Sequence, residues 1–279
     1  MGDTLPPPLV SIIVPTYNRP DLLDQALRSI LKQVYKNYEI MVINDGGVEV
    51  HRVIDSNNED GNIVYLKHDT NRGVAAARNT GISRARGKYI AYLDDDDQYY
   101  PDHLATLVGF LENSDYKIAY TDANVVYQRQ KGGRYLEVKK GVLYSRDFDS
   151  WRILAENYIP TLCLLQEKSC LEESGPFDES LTTHEDWDLW IRLSREYQFA
   201  HIKKVTCEFT RRTEVNSMTS GNRADFLRTA KIIYERYKHY AVDKPDILAA
   251  QKRALLKRRL SLLVHNTRLL IYYKLINHG

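Results

Sequence analysis

Cysteine is scarce in this 279-residue chain: Cys163, Cys170 and Cys207 are odd in number and widely spaced. That pattern suits neither a disulfide framework nor a paired-thiolate zinc site, and the three are read as reduced thiols. Also lacking is any run of about 18 uncharged apolar residues, the length a membrane-spanning helix needs. The N-terminus has no basic segment followed by an apolar core, so a cytoplasmic protein is expected, at most peripheral at the inner face of the membrane. Neither sign of charge predominates. Thirty-nine Lys and Arg against 37 Asp and Glu give +2, which offers no ground for a wholesale polyanion binder, and no nucleic-acid partner is expected.

What is present is an alternation of strand and helix patterns. After the Pro6, Pro7 and Pro8 lead, residues 10–14 form a short β-branched run that Pro15 is expected to stop. A helix follows over 21–33, where Leu22, Leu23, Ala26, Leu27, Ile30 and Leu31 recur at helical spacing, and then a strand over 39–43 ends at Asn44, Asp45, Gly46 and Gly47. The unit recurs as strand 63–66, helix 74–84 and strand 89–93. Such alternation predicts an α/β fold, a Rossmann-like, mostly parallel central sheet with helices on both faces. Its ligands bind beyond the carboxyl ends of the strands. Beyond Pro101 the pattern is mixed: a helix to about Leu111, a strand over 118–120, a hairpin around Gly132 and Gly133, and helices over 187–197 and 223–240. The stretch 247–276 is a basic amphipathic helix. It either packs on its own domain, meets a partner domain or lies on an anionic membrane surface.

Polar residues collect where the ligand end of the sheet should be. Asp94, Asp95, Asp96 and Asp97 directly follow the fourth strand, and extended geometry would put Asp94 and Asp96 on one side. Adjacent carboxylates repel unless offset, and a hard divalent cation held by one or two of them plus substrate phosphates suits the arrangement; the alternative is an acidic surface turn. Tyr17 presents an aromatic face on which a nucleobase could stack, and Asp45 can accept from a base imide N–H, as uracil and thymine offer. Both residue types also serve ordinary packing and turns. Asn71, Arg72 and Gly73 open the third helix, so free backbone N–H groups and the Arg72 charge can face an anion, with Arg78 adding a second cation or a structural salt bridge. In His184-Glu185-Asp186-Trp187-Asp188 acidic groups precede an aromatic-rich helix, where a desolvated carboxylate would gain the raised pKa of a general base; helix capping by Asp186 is the plainer alternative.

Taken together, these segments resemble glycosyltransferase family 2, with its GT-A fold. The likeness runs over about 10–219. It rests on Ser11-Ile12-Ile13-Val14-Pro15-Thr16-Tyr17-Asn18, Asn44-Asp45-Gly46, Asn71-Arg72-Gly73 through Ala77-Arg78-Asn79, Leu93-Asp94-Asp95-Asp96-Asp97 and Glu185-Asp186. The resemblance implies an inverting enzyme that moves a sugar from a nucleotide-sugar donor, usually UDP-linked, to a hydroxyl of a saccharide or glycoconjugate acceptor. Cell-surface polysaccharide or glycoconjugate synthesis is the implied setting. It also assigns roles. Pro15, Thr16, Tyr17 and Asp45 would lie along the donor with Tyr17 and Asp45 at the base; Arg72 and Arg78 would position it; Asp94 and Asp95 would sit near ribose and sugar. Asp96, then Asp94, would hold Mn²⁺ or Mg²⁺, Asp186 would be the general base, and Glu185 and Trp187 would border the acceptor.

Two departures from the family pattern stand out. Asn44 occupies a position where an aspartate is frequent, and the Gln-x-x-Arg-Trp motif of processive synthases is absent, so transfer of one or a few sugars is implied. Arg211, Arg212 and Thr213 fall where relatives carry a residue that meets the metal or diphosphate. The expected division is a glycosyltransferase domain over 1–220, with a donor half 9–100 and an acceptor half 101–220, followed by C-terminal helices over 221–279. Two other functions compete, nucleotidyl transfer on a related sheet and a non-catalytic sugar-nucleotide-binding or scaffold module. The first is disfavoured by the loop Pro15-Thr16-Tyr17-Asn18-Arg19-Pro20, which lacks the glycines and lysine of a phosphate cradle.

Overall fold

The computed structural model describes residues 9–132, 134–212 and 223–276; Pro6, Pro7, Pro8, Gly133, Thr213 and the boundary at 220/221 lie outside them. At its centre β1 (Val10–Thr16) is buried along its whole length. It pairs in parallel with β2 (Tyr38–Asn44) on one side and β4 (Tyr89–Tyr92) on the other, while β3 (Ile63–Lys67) joins β2, also in parallel. The three connecting helices are α1 (Pro20–Leu31), α2 (His51–Asn57) and α3 (Val74–Arg84). Right-handed crossovers running β1 to β2 to β3 put α1 and α2 on one face, where they pack together. The return from β3 to β4 reverses direction and puts α3 on the other face, against β1 and β2. The strand order therefore turns at the β1/β4 gap, and this topological switch point opens a crevice at the carboxyl ends of those strands.

Pro15 does not stop β1, which runs on to Thr16. The reason is the ladder. Ile13 O accepts from Leu93 N on the β4 side, so Pro15, two residues on, faces the same side, where β4 has already ended at Tyr92. The N–H that proline lacks has no partner there to lose.

The second half extends the same sheet with mixed pairing. It comprises β5 (Gln98–Tyr99), α4 (His103–Leu111), β6 (Ile118–Lys131), β7 (Arg134–Tyr144), β8 (Leu164–Glu167), α5 (Ser169–Ser174), α6 (Glu185–Glu196) and β9 (Phe199–Arg212). The order is β3-β2-β1-β4-β8-β6-β9-β5, with β7 also on β6. Strand β8 is antiparallel to both β4 and β6, whereas β6 and β9 run parallel. The expected strand over 118–120 proves to be the first turn of a much longer β6, which pairs with β8 there and with β7 from Ala123 onward. Strand β9 and helix α2 have no clear period in the sequence.

Three further helices, α7 (Arg223–Arg236), α8 (Lys238–Ala241) and α9 (Pro245–Ile276), dock on this half. Tyr234 OH donates to Ala155 O at 2.7 Å, Gln251 Nε2 to Leu154 O at 2.9 Å, and Arg236 Nη1 meets buried Asp188 at 2.6 Å. No described helix is long and apolar enough to cross a membrane.

The loop after β2 shows how tightly the crevice rim is built. Gly46 has φ +73°, and a Cβ there would lie 2.4 Å from Thr70 C, while one on Gly47 would lie 2.8 Å from Asn18 N. Backbone, which cannot swing aside, blocks both. Gly46→Ala should therefore lower unfolding free energy by about 2 kcal/mol or more, through left-handed strain plus overpacking. Urea denaturation reads this directly; a change within ~0.5 kcal/mol would mean that the loops are not so closely pressed.

Candidate active site

The four aspartates alternate between open and buried. Asp94 and Asp96 keep side-chain exposures of 34% and 23%, whereas Asp95 is fully enclosed and Asp97 nearly so. The alternation expected of a strand survives although the backbone turns here, with Asp97 N–H donating to Asp94 O at 3.1 Å. Each buried member ties the turn to a neighbour. Thr16 Oγ1 donates to Asp95 Oδ2 at 2.7 Å, joining β1 to the end of β4 across the switch point, and Thr210 N–H donates to Asp97 Oδ1 at 2.7 Å, joining β9. Burial pushes the Asp95 pKa up to about 7 against the pull of Arg19, and it pushes Asp97 well above the carboxylate range. The cluster thus presents two open carboxylates, not four.

Arginines meet those charges. Arg19 Nη1 donates to Asp96 Oδ2 at 3.0 Å and its Nη2 lies 2.6 Å from Asp95 Oδ1; Arg212 Nη1 donates to the same Asp96 oxygen at 2.8 Å. Arg212 also stacks over the Tyr135 ring, 4.6 Å from its centroid. Its neighbour Arg211 points elsewhere, donating to Tyr144 OH.

Arg78 is a buried strut. It was expected to reach the donor, but it is 2% exposed and both terminal nitrogens are taken: Nη1 by Glu185 Oε1 at 2.6 Å and Nη2 by Asp94 Oδ1 at 2.7 Å. Burial alone would lower its pKa; Asp94 and Glu185 outweigh that and raise it. The bridge joins α3, the aspartate turn and the start of α6. Glu185, expected beside the acceptor, is likewise buried in this pair, and burial raises its pKa to about 7 despite Arg78. Trp187 is no acceptor platform either: it is fully buried, its Nε1 donates to Ile153 O, and Tyr234 packs edge-on at 5.5 Å. An apolar ring one turn into a core-facing helix is better placed in the core than at a wet cleft.

Asp186 sits in the first turn of α6, after the N-cap His184. It is not the cap, though its Oδ1 accepts from Trp187 N–H at 2.7 Å, an otherwise orphaned donor. Its Oδ2 accepts from Asn157 Nδ2 at 2.8 Å and Thr161 Oγ1 at 3.2 Å. Burial raises its pKa, and Arg78 opposes the rise. His184 itself is buried in left-handed backbone (φ 62°) with Nδ1 2.8 Å from Thr229 Oγ1; burial, then Arg258, holds its pKa down to about 3, so it stays a neutral structural ring. Asp188 is enclosed by Arg192, Arg236 and Tyr237.

At the other rim, the anion that the front of α3 binds is internal. Arg72 N–H donates to Asp45 Oδ1 at 2.9 Å and Gly73 N–H to Oδ2 at 2.8 Å, so those donors are not free for a ligand. His68 Nδ1 adds a third contact, 2.7 Å from Oδ1. The Arg72 side chain is half-exposed and pairs with Glu179 at 3.3 Å. Asn44 accepts from Gly47 N–H while donating to Val48 O and Tyr65 OH, and an aspartate could not make the two donations. Tyr17 stands outside this net with 44% exposure, its ring open beside Pro15 and Thr16.

The donor set fits a hard divalent cation only with help from a ligand. No group of three or more His, Cys, Asp or Glu converges among the described residues, so those residues build no closed cage. Two half-open carboxylates, Asp96 and Asp94, with the buried Asp95 Oδ1 lacking an aligned hydrogen bond behind them, suit an ion completed by diphosphate and water. Arg19, Asn157, Thr161 and Glu179 escaped the sequence reading. Arg19 was recoverable, because it follows the strand-end motif directly; Asn157 and Thr161 lie in a segment without periodicity.

This geometry now meets its relatives. The family model "Glycosyl transferase family 2" matches residues 11–172. The chain is 31% identical over 199 residues to the uncharacterized glycosyltransferase YwdF of Bacillus subtilis, covering 71% of each chain. It is 34% identical over 202 residues to an uncharacterized glycosyltransferase of Rickettsia bellii, covering 70% of this chain but 28% of that protein. It spans 32% of a further relative, RC0461 of Rickettsia conorii. The chain belongs to glycosyl transferase family 2. Its fold is GT-A: S. aureus TarS 1-349 in complex with UDP-GlcNAc superposes with a TM-score of 0.67 at 19% identity, covering 90% of this chain and 72% of that one. The mannosyltransferase PcManGT from Pyrobaculum calidifontis, in complex with GDP-Man and Mn²⁺, superposes at 0.62 and 19%, covering 94% and 76%. Membership sets aside nucleotidyl transfer as the reading of this sheet.

Removing the strut would leave Asp94 and Glu185 facing each other without a cation. Arg78→Met should cost about 3–5 kcal/mol at a pH well above 7, where Glu185 is ionised, and less in acid, because Glu185, whose pKa burial raises to about 7, is then protonated. Denaturation curves at the two pH values test this; equal small losses at both would mean that the bridge carries little of the fold.

Proposed function

We propose that this chain transfers a sugar from a nucleoside-diphosphate-sugar, UDP-linked in the first instance, to a hydroxyl of a saccharide or glycoconjugate acceptor, inverting the anomeric carbon. The setting is the cytoplasm, in cell-surface polysaccharide or glycoconjugate synthesis. One observation carries the reading: Arg78 clamps Asp94 at 2.7 Å and Glu185 at 2.6 Å, fixing the aspartate turn beside Asp186. A diphosphate at the turn then has a carboxylate of raised pKa next to its sugar. The solved neighbours carry UDP-GlcNAc in one case and GDP-Man with Mn²⁺ in the other, which supports a nucleotide-sugar without choosing the base.

The parts divide as follows. Tyr17 stacks on the base above Pro15 and Thr16, and Asp45, whose Oδ2 has a single donor, shapes this rim and has capacity for a base N–H. Arg72 exchanges exposed Glu179 for donor phosphate, a low-cost swap for a solvent-screened pair. Asp94 borders ribose and sugar, whereas Asp95, expected beside it, is fully enclosed and holds the turn from behind through Thr16 and Arg19. Asp96 and then Asp94 would hold Mn²⁺ or Mg²⁺, which when bound would neutralise charge on the leaving diphosphate. Asp186 accepts the proton of the acceptor hydroxyl, with Asn157 and Thr161 holding its orientation. A glycosyltransferase domain over 1–220, with donor half 9–100 and acceptor half 101–220, and a helical extension over 221–279 are part of this reading, supported by the single sheet and the packing of α7 and α9 against its second half.

A base must be ionised, so kcat/KM should hold at high pH and fall as pH drops through a pKa above the ordinary carboxylate value. Since Arg78 favours the ionised form, Arg78→Lys, which weakens the bridge, should move that limb upward. Asp186→Asn should remove turnover by ~10²-fold or more while sparing donor binding; unchanged turnover sinks the base assignment. Thermal shift with a set of nucleotide-sugars, with and without Mn²⁺, tests the donor end. The correct donor should raise Tm more with Mn²⁺ than without, and Asp96→Asn should erase the difference; no stabilisation by any nucleotide-sugar would defeat the donor reading.

A further inference from the structure

The C-terminal helix α9 has two unlike sides. One faces the domain: Gln251 is buried against Leu154, and Arg258 lies over the Trp187 ring, 5.9 Å from its centroid. The other bears Leu256, Leu260 and Val264, exposed at 57%, 53% and 52%. Their i, i+4, i+8 spacing stacks them into one stripe. At about 100° per residue, Lys252 and Arg259 flank the stripe on one side and Lys257 on the other, while Arg253 lies in line with it, one turn before Leu256. All four are exposed. Between 247 and 276 the sequence has no Asp or Glu at all.

That charge pattern decides what can cover the stripe. A second copy of the helix, laid parallel or antiparallel, would set Lys252, Arg253, Lys257 and Arg259 against their own like, with Asp246 in the first turn as the lone carboxylate of each helix to offset four cations. An anionic bilayer supplies the missing sign, and its interfacial region takes up the apolar side chains. We propose that α9 docks this chain onto an anionic phospholipid surface, with Leu256, Leu260 and Val264 entering the interface and the four cations meeting lipid phosphates. Three apolar side chains are too few to anchor alone, so binding needs both contributions and is reversible and salt-sensitive. The proposal is independent of which donor or metal the crevice takes.

Co-sedimentation of the full chain with vesicles tests it. Binding is expected to phosphatidylcholine vesicles containing phosphatidylglycerol and not to pure phosphatidylcholine, and it should weaken as salt is raised. Lys252→Gln with Lys257→Gln should reduce the partition coefficient roughly 25-fold, and Leu260→Gln roughly tenfold. Both variants should keep the wild-type melting temperature, because the side chains are exposed. Sedimentation with neither vesicle, equal sedimentation with both, or light scattering that reports a dimer lost in Leu260→Gln would each overturn it.

Discussion

A single buried guanidinium sets the conditions for the crevice. Arg78 comes from α3, on one face of the sheet, and its two terminal nitrogens reach Asp94 at the end of β4 and Glu185 at the start of α6. These are three separate stretches of chain, and their relative positions define where a donor and a base can meet. A charge held at 2% exposure needs paired carboxylates, and with the buried Nε without a hydrogen bond Arg78 depends on these two, so they cannot drift without a large penalty. Geometry at the reaction centre is thus enforced by desolvation. Lysine could carry the charge but not the fork, since the donors of an ammonium radiate from one nitrogen, whereas Glu185 and Asp94 are met here by two separate guanidinium nitrogens.

The aspartate turn follows the same economy of charge. Asp95 and Asp97 point inward as acceptors for Thr16 and Thr210 and titrate high, while Asp94 and Asp96 stay part-open at the surface, paired with Arg78, Arg19 and Arg212. Four adjacent carboxylates would be untenable as four charges. Two of them act as hydrogen-bonded joints in the fold, and the remaining two are what a cation or a diphosphate-bound ion would encounter.

Much of the donor half was legible in the sequence because its signals are local. The β-branched run at 10–14, the helical spacing between Leu22 and Leu31 and the helix over 74–84 report their own burial, and the strands fix where the loops must cluster. Side-chain direction was less legible. Nothing adjacent to Arg78 says that it pairs with a carboxylate more than 100 residues away, nor that Trp187 is sealed beneath Tyr234. The N–H groups of Arg72 and Gly73 looked free because their acceptor, Asp45, lies on a different loop. In the second half, β9 was missed because its burial follows several partners in turn, β6 along most of its length and β5 at Cys207 and Glu208, so no single period runs through it.

The Asn18, Asn44-to-Gly47 and Thr70-to-Gly73 loops are stitched to one another: Val48 N–H donates to Asn18 Oδ1 at 2.8 Å, and Asp45 holds the Arg72 and Gly73 amides. With Gly46 wedged against Thr70, the rim around Tyr17 has little conformational freedom left to lose. Backbone ordering costs on the order of 1–2 kcal/mol per residue, and here it is met during folding, not when a nucleotide arrives. Association at this rim should therefore resemble filling a rigid mould, with the loss of entropy falling on the incoming molecule and on the single exposed ring.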